Sequence, residues 1–159
     1  MHGEQSLFFM KMEKIQKPFI DHGFGFPVKL FHVPMIKVRG IWTPNIGYNR
    51  LSKAVLKALC EKSARLTGNE IRFIRLHFEM TLQGFAKRFS VSHVAVIKWE
   101  ATKNHPTPMN WATEKDIRLF LLSKISSEPR DLASLYRRLE DRKEEKNKPL
   151  QLDLERLAA

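Results

Sequence analysis

TLQGFAKRFSVSHVAVIKWE, residues 81–100, reads as two short amphipathic helices joined by a tight turn. Thr81 caps the first helix and Ser92 the second, each hydroxyl placed to accept from a free amide of the first helical turn. Ala86 lies midway along the first helix, where only a small side chain lets two helices approach closely. Ser90-Val91 makes the turn. Beyond it Val96 and Trp99, three residues apart, share one face, and together with Phe85 they read as core. The pattern predicts a helix-turn-helix, a unit whose second helix can lie in a DNA major groove.

These residues resemble the Cro/cI-type (XRE) helix-turn-helix regulators. Ile74-Arg75, Thr81, Phe85-Ala86, Phe89-Ser90-Val91-Ser92 and Trp99-Glu100 carry the resemblance, which spans residues 66–125. LTGNEIRFIR, followed by the helix-turn-helix and KWE, looks like the antitoxin branch, whose members repress their own toxin–antitoxin operons. Two positions depart from the pattern. Ser90 stands where the turn usually has glycine, and Leu82 stands where the first helix often has a DNA-contacting glutamine, although Gln83 is its neighbour. The resemblance implies a mainly α, five- or six-helix Cro/cI-like domain, and the residues ahead of it add a short N-terminal β-hairpin or extended segment. It also implies double-stranded DNA as partner, a homodimer, and a toxin protein as a further partner.

In a helix-turn-helix the start and outer face of the second helix reach base edges, while amides and cations grip phosphates. Counting from the cap, Ser92, His93, Val94 and Lys98 face outward. Ser92 sits at a helix N-terminus, which favours a phosphate. His93 and Lys98 can donate to base acceptors or phosphates, or simply solvate the helix. Val94 can meet a thymine methyl or pack in the core. Thr81 and Gln83 are candidates for backbone contact, as are Lys103 and Asn104 just past the second helix. The resemblance places base contacts on His93, Val94 and Lys98, and pairs Arg75 with Glu100 as a structural lock on the recognition helix.

Charge distribution agrees with a polyanionic partner. The 159-residue chain has 28 basic and 17 acidic residues, a net charge of +11. Residues 128–159 hold eight of each sign, so residues 1–127 carry the excess, 20 basic against 9 acidic. Eight basic residues between positions 29 and 65 face only Glu61 in sequence, a second basic footprint or an ordinary solvated edge.

The rest of the chain divides into residues 1–24, a flexible N-terminal segment; 25–48, a short β element in which Val28, Leu30, Ile36 and Val38 alternate with polar residues; 49–125, the helical DNA-binding domain; and 126–159, a C-terminal helix and charged tail. Helices are predicted over about residues 50–63 from an Asn49 cap, and from a Thr67/Glu70 capping box. Others follow Thr113 and Pro129, the last running to about residue 145. Its Leu132, Leu135, Tyr136 and Leu139 form a stripe. Trp42 and Trp111 fit either core or exposed anchors.

Cys60, the only cysteine, rules out an intramolecular disulfide and a cysteine zinc cluster, and its place in an apolar repeat predicts a buried thiol. The six histidines show no metal spacing, no glycine-rich phosphate loop is present, and no catalytic constellation emerges. No enzyme activity, metal or cofactor is expected. Leu7-Phe8-Phe9-Met10 is too short for a signal-peptide core and no run approaches a membrane span, so a cytoplasmic location and no membrane partner are expected.

Overall fold

The computed structural model describes residues 14–157. Among them are six strands: β1 (Lys14–Gln16), β2 (Phe19–Asp21), β3 (Val28–Phe31), β4 (Val33–Val38), β5 (Ile41–Pro44) and β6 (Leu150–Asp153). Six α-helices accompany them: α1 (Tyr48–Glu61), α2 (Gly68–His77), α3 (Leu82–Arg88), α4 (His93–Glu100), α5 (Trp111–Ile125) and α6 (Pro129–Glu140). The expected mainly α, Cro/cI-like domain with one short β element is therefore corrected. The strands build two three-stranded sheets, ordered β1-β4-β5 and β2-β3-β6, and the fold is α+β.

The N-terminal strands form one long antiparallel pairing. Gln16 opposes Val33 and Phe19 opposes Leu30, so residues 14–21 and 28–35 keep a single register through both sheets. The ladder breaks where Pro18 has no N–H to donate and where His32 adopts φ 54°. At the other end of β4, Arg39 (φ 51°) and Gly40 (φ 81°) make a two-residue turn into β5, with Val38 opposite Ile41. Positive φ at both turn residues matches the twist of a hairpin. Residues 1–13 of the segment expected to be flexible lie outside the described residues; residues 14–16 and 19–21 are β1 and β2.

The C-terminal tail closes the second sheet. β6 runs parallel to β3, from Val28↔Leu150 to Phe31↔Asp153, with Leu150 and Leu152 buried and Gln151 and Asp153 exposed. That alternation is the signature of a strand with one buried face. A 3-10 turn over Leu154–Leu157 follows. The tail is thus a structural strand rather than only a charged extension, and α6 ends at Glu140.

Helix starts follow local capping. Thr67 and Glu70 form a reciprocal capping box on α2, and Asn110 caps α5, three residues before the predicted Thr113. α1 begins after Gly47 rather than Asn49, with no side-chain cap. α1 packs against α5 and β6, α5 against α6, and α4 against both α2 and α3. Val55, Leu59, Ile117 and Leu121 are fully buried in this core, and Phe24 and Phe26 meet Phe73 edge-on, tying the β region to α2.

A buried charge cluster holds the α1–α2 connection to α5. Arg118 and Glu114, one helical turn apart, have fully buried side chains joined at 2.7 Å. Arg118 also donates to the carbonyls of Cys60 (3.2 Å), Lys62 and Ala64 (2.8 Å), so its guanidinium replaces the helix partners that the chain loses beyond α1. Glu114 in turn accepts from Arg65 Nε at 2.8 Å and from the Leu66 amide at 3.2 Å. Cys60 is buried here, and burial pushes its thiol up to about 12, leaving it protonated and unreactive. Trp111 lies half-buried beneath the Arg142 guanidinium at 3.7 Å, and Trp42 is half-buried with Lys14 4.4 Å above its ring. Among the described residues no helix is long and apolar enough to cross a membrane.

Candidate nucleic-acid interface

α3, the turn over residues 89–92 and α4 form the predicted helix-turn-helix. Thr81 Oγ1 accepts from the Gly84 amide at 2.9 Å, and Ser92 Oγ accepts from the Ala95 amide at 3.1 Å, so each helix begins with a satisfied cap. Phe85, Ala86 and Phe89 are buried on α3 and its cap; Val96 and Trp99 are buried on α4. The turn closes through the Val91 amide on the Ala86 carbonyl at 2.9 Å. Ser90 takes φ 57°, the left-handed conformation that glycine adopts freely, at a cost of about 1 kcal/mol for a side-chain-bearing residue.

α2 positions the second helix. Arg75 Nε and Nη2 each donate to a Glu100 carboxylate oxygen at 2.9 Å, and Nη1 donates to the Met80 carbonyl at 3.1 Å. The two ionic side chains are each 10 % exposed. Gly68, at the start of α2, makes the second attachment. A β-carbon there would lie 2.3 Å from the Trp99 carbonyl oxygen and 2.8 Å from that of Glu100. Only glycine lets the start of α2 sit this close to the end of α4. A third attachment comes from Asn69, whose amide donates to the Lys103 carbonyl at 2.9 Å and whose side chain donates to Asn104 Oδ1 at 2.9 Å.

Opposite these attachments, His93, Val94, Ile97 and Lys98 form the exposed face of α4. Val94 is 46 % exposed, which removes the core-packing alternative. Gln83 is exposed on α3, and Thr81 and Ser92 are exposed as well as capping. The α4 face therefore gathers His93, Val94 and Lys98. Thr81 and Ser92 have their hydroxyls engaged as caps, and Asn104 has its side-chain oxygen engaged by Asn69. Lys103, at φ 54°, keeps an exposed side chain while its backbone serves α2. Between residues 68 and 105 the exposed charges are Arg72, Lys87, Arg88, Lys98 and Lys103 against Glu79 alone, a field suited to a polyanion. Arg88 also lies 3.7 Å from Asp116.

Sequence reasoning missed two attachments, Gly68 and Asn69, although a glycine opening a helix behind a strong capping box was a usable signal. It also missed a cluster where the β3–β4 junction meets the end of β6. His32 Nδ1 stands 2.9 Å from Asp153 Oδ1 and 3.8 Å from Glu155 Oε2. The ligand atoms of these three exposed residues lie within 4.8 Å of one another, close enough to share a cation. Their mutual hydrogen bonding accounts for them equally well as a clasp between the β3–β4 junction and β6. Asp153 raises the His32 pKa by hydrogen bonding and by its charge. A groove of about 970 Å³ lies between α1, α5, α6 and β6, lined in part by Lys53, Lys57, Leu122 and Ile125, and no helix-turn-helix residue borders it.

Fold and site together define an α+β protein that presents a capped, rigidly held helix-turn-helix. Comparison with protein-family models, curated proteins and solved structures returned no significant match.

Proposed function

We propose that the protein is a sequence-specific, DNA-binding transcriptional repressor that acts in the cytoplasm as a homodimer on operator DNA. The observation that carries this reading is α4 itself: its inner face and end are fixed by Trp99, Gly68 and the Arg75–Glu100 pair, while His93, Val94 and Lys98 stand free on the outer face. A helix that is held rigid and presents cationic and apolar groups outward is what major-groove reading requires. One such helix covers only a few base pairs. Two copies reading half-sites about 34 Å apart supply the remaining specificity. Autoregulation and a toxin partner rest on the sequence resemblance to the antitoxin branch of the Cro/cI-type regulators.

The test is a fluorescence-anisotropy titration against duplex DNA from the protein's own promoter and a scrambled duplex, at two salt concentrations. The reading expects tighter binding to the promoter, weakened by salt on both duplexes as counterions are released. Replacing His93 and Lys98 together with Ala should lower promoter affinity at least tenfold and leave the far-ultraviolet spectrum unchanged. Promoter affinity unchanged in that variant would exclude the proposed face. A protein-interaction adaptor is the rival that one observation favours, namely the exposed aliphatic pair Val94 and Ile97; it expects no salt-sensitive DNA complex.

A further inference from the structure

The outer face of α4 has an unusual composition for a base-reading surface. Its exposed side chains are His93, Val94, Ile97 and Lys98, with Val94 and Ile97 each 46 % exposed. No exposed Arg, Asn or Gln stands on this helix, and its one acidic residue, Glu100, is committed to Arg75. Two-pronged recognition of adenine requires Asn or Gln, which this helix lacks, and that of guanine requires Arg or Lys, of which it has Lys98 alone. Lys98 is a point charge on a flexible stem and His93 a short side chain, and both meet phosphates as readily as purine acceptors. Beyond what Lys98 reads, the sequence information available to this face comes from its two aliphatic side chains.

We infer that Val94 and Ile97 read thymine 5-methyl groups, and that the operator half-site is defined by a pair of T·A base pairs beneath them. This rests on the DNA-binding reading above and names what that site recognises. In unmodified DNA, thymine alone offers an apolar group in the major groove. Three residues of helix separate Val94 from Ile97 by about 4.5 Å along the axis, slightly more than the 3.4 Å rise of one base-pair step. The two contacts accordingly fall on adjacent or next-but-one base pairs. Charge complementarity commits the apolar face to nucleic acid rather than to an apolar protein surface, because Lys98 and His93 flank it and Lys87, Arg88 and Lys103 are exposed cations on either side in sequence.

The experiment starts by selecting duplexes that the full-length protein binds from a randomised pool, then replaces each thymine of the enriched half-site by deoxyuridine, which lacks only the methyl. Burying one methyl corresponds to about fourfold in affinity, so two thymines should each show a loss of that size. Val94→Ala should abolish the deoxyuridine effect at one of them and Ile97→Ala at the other. Both residues are exposed, so both variants should fold. Exchanging a sensitive T·A pair for 5-methylcytosine·G should retain more affinity than exchanging it for C·G. An enriched site that tolerates deoxyuridine at every thymine overturns methyl reading while leaving DNA binding intact. Failure to enrich any sequence overturns both.

Discussion

Arg75→Ala is the substitution that best isolates what holds α4. It deletes two charge-assisted hydrogen bonds to Glu100, at 2.9 Å each, and one to the Met80 carbonyl at 3.1 Å. The Glu100 carboxylate, only 10 % exposed, is then left without its cation. Glu100 is also the last residue of α4, where the negative end of the helix dipole opposes an unpaired anion. Breaking one side of a buried pair costs about 3–5 kcal/mol. For a chain of this length each kcal/mol lowers Tm by about 2–4 °C, so the fall should be about 6–20 °C. Urea denaturation followed by circular dichroism gives the free energy directly. Arg75→Met combined with Glu100→Gln removes both charges and should recover part of the loss, with the double variant more stable than the sum of the single effects predicts. A cost under about 1 kcal/mol for Arg75→Ala, the range of a solvated ion pair, would refute the reasoning. Strict additivity in the double variant would refute it too.

Two further variants probe the other attachments of the fold. Gly68→Ala should destabilise by about 1–3 kcal/mol through overpacking against the Trp99 and Glu100 carbonyls, although Ala is the better helix former by about 1 kcal/mol; a urea midpoint at or above that of the parent protein would contradict this. At the β3–β6 junction, the Asp153 hydrogen bond and charge favour protonated His32 and raise its pKa above the ordinary 6.5. Its contribution to stability is therefore complete below the unfolded value and is lost as pH rises through the folded one. Nuclear magnetic resonance titration of the imidazole should give a midpoint above 6.5, and His32→Asn, which tolerates the left-handed backbone, should flatten the stability profile in that window. A midpoint at or below 6.5 would show that the clasp does not form.

The legible parts of this protein were the local ones. Thr67 with Glu70, Thr81 and Ser92 mark helix starts because a cap involves residues three apart, and the Val96–Trp99 spacing fixes the inner face of α4 for the same reason. The Arg39-Gly40 turn likewise lies within a stretch whose alternation announces a hairpin. The extent of the β structure was not legible, because β1 and β2 have three residues each and flank Pro18, too short to establish a period. β6 shows only two alternations at the end of a charged tail, and its partner β3 is about 120 residues away, so no local pattern can reveal the pairing. Glu114 and Arg118 illustrate the same limit energetically. At i, i+4 they have the spacing of a surface ion pair, yet both are fully buried, because Arg118 serves carbonyls from a distant connection.

These contacts separate stability from recognition along a single eight-residue helix. The groups that fix α4 lie on its inner face or at its two ends: Val96 and Trp99 in the core, the Ser92 cap at the start, Glu100 on Arg75, and the Trp99 and Glu100 carbonyls against Gly68. The outer face presents His93, Val94, Ile97 and Lys98, all exposed. If the proposed DNA-binding reading holds, substitutions of His93 and Lys98 on the outer face should alter DNA affinity at nearly constant stability. Those at Arg75, Gly68 or Glu100 should lower both, since a helix that has lost its attachments must spend binding energy on being reordered. The same division bears on the aliphatic side chains exposed at positions 94 and 97: neither belongs to the buried core, leaving their identity open to what the helix meets.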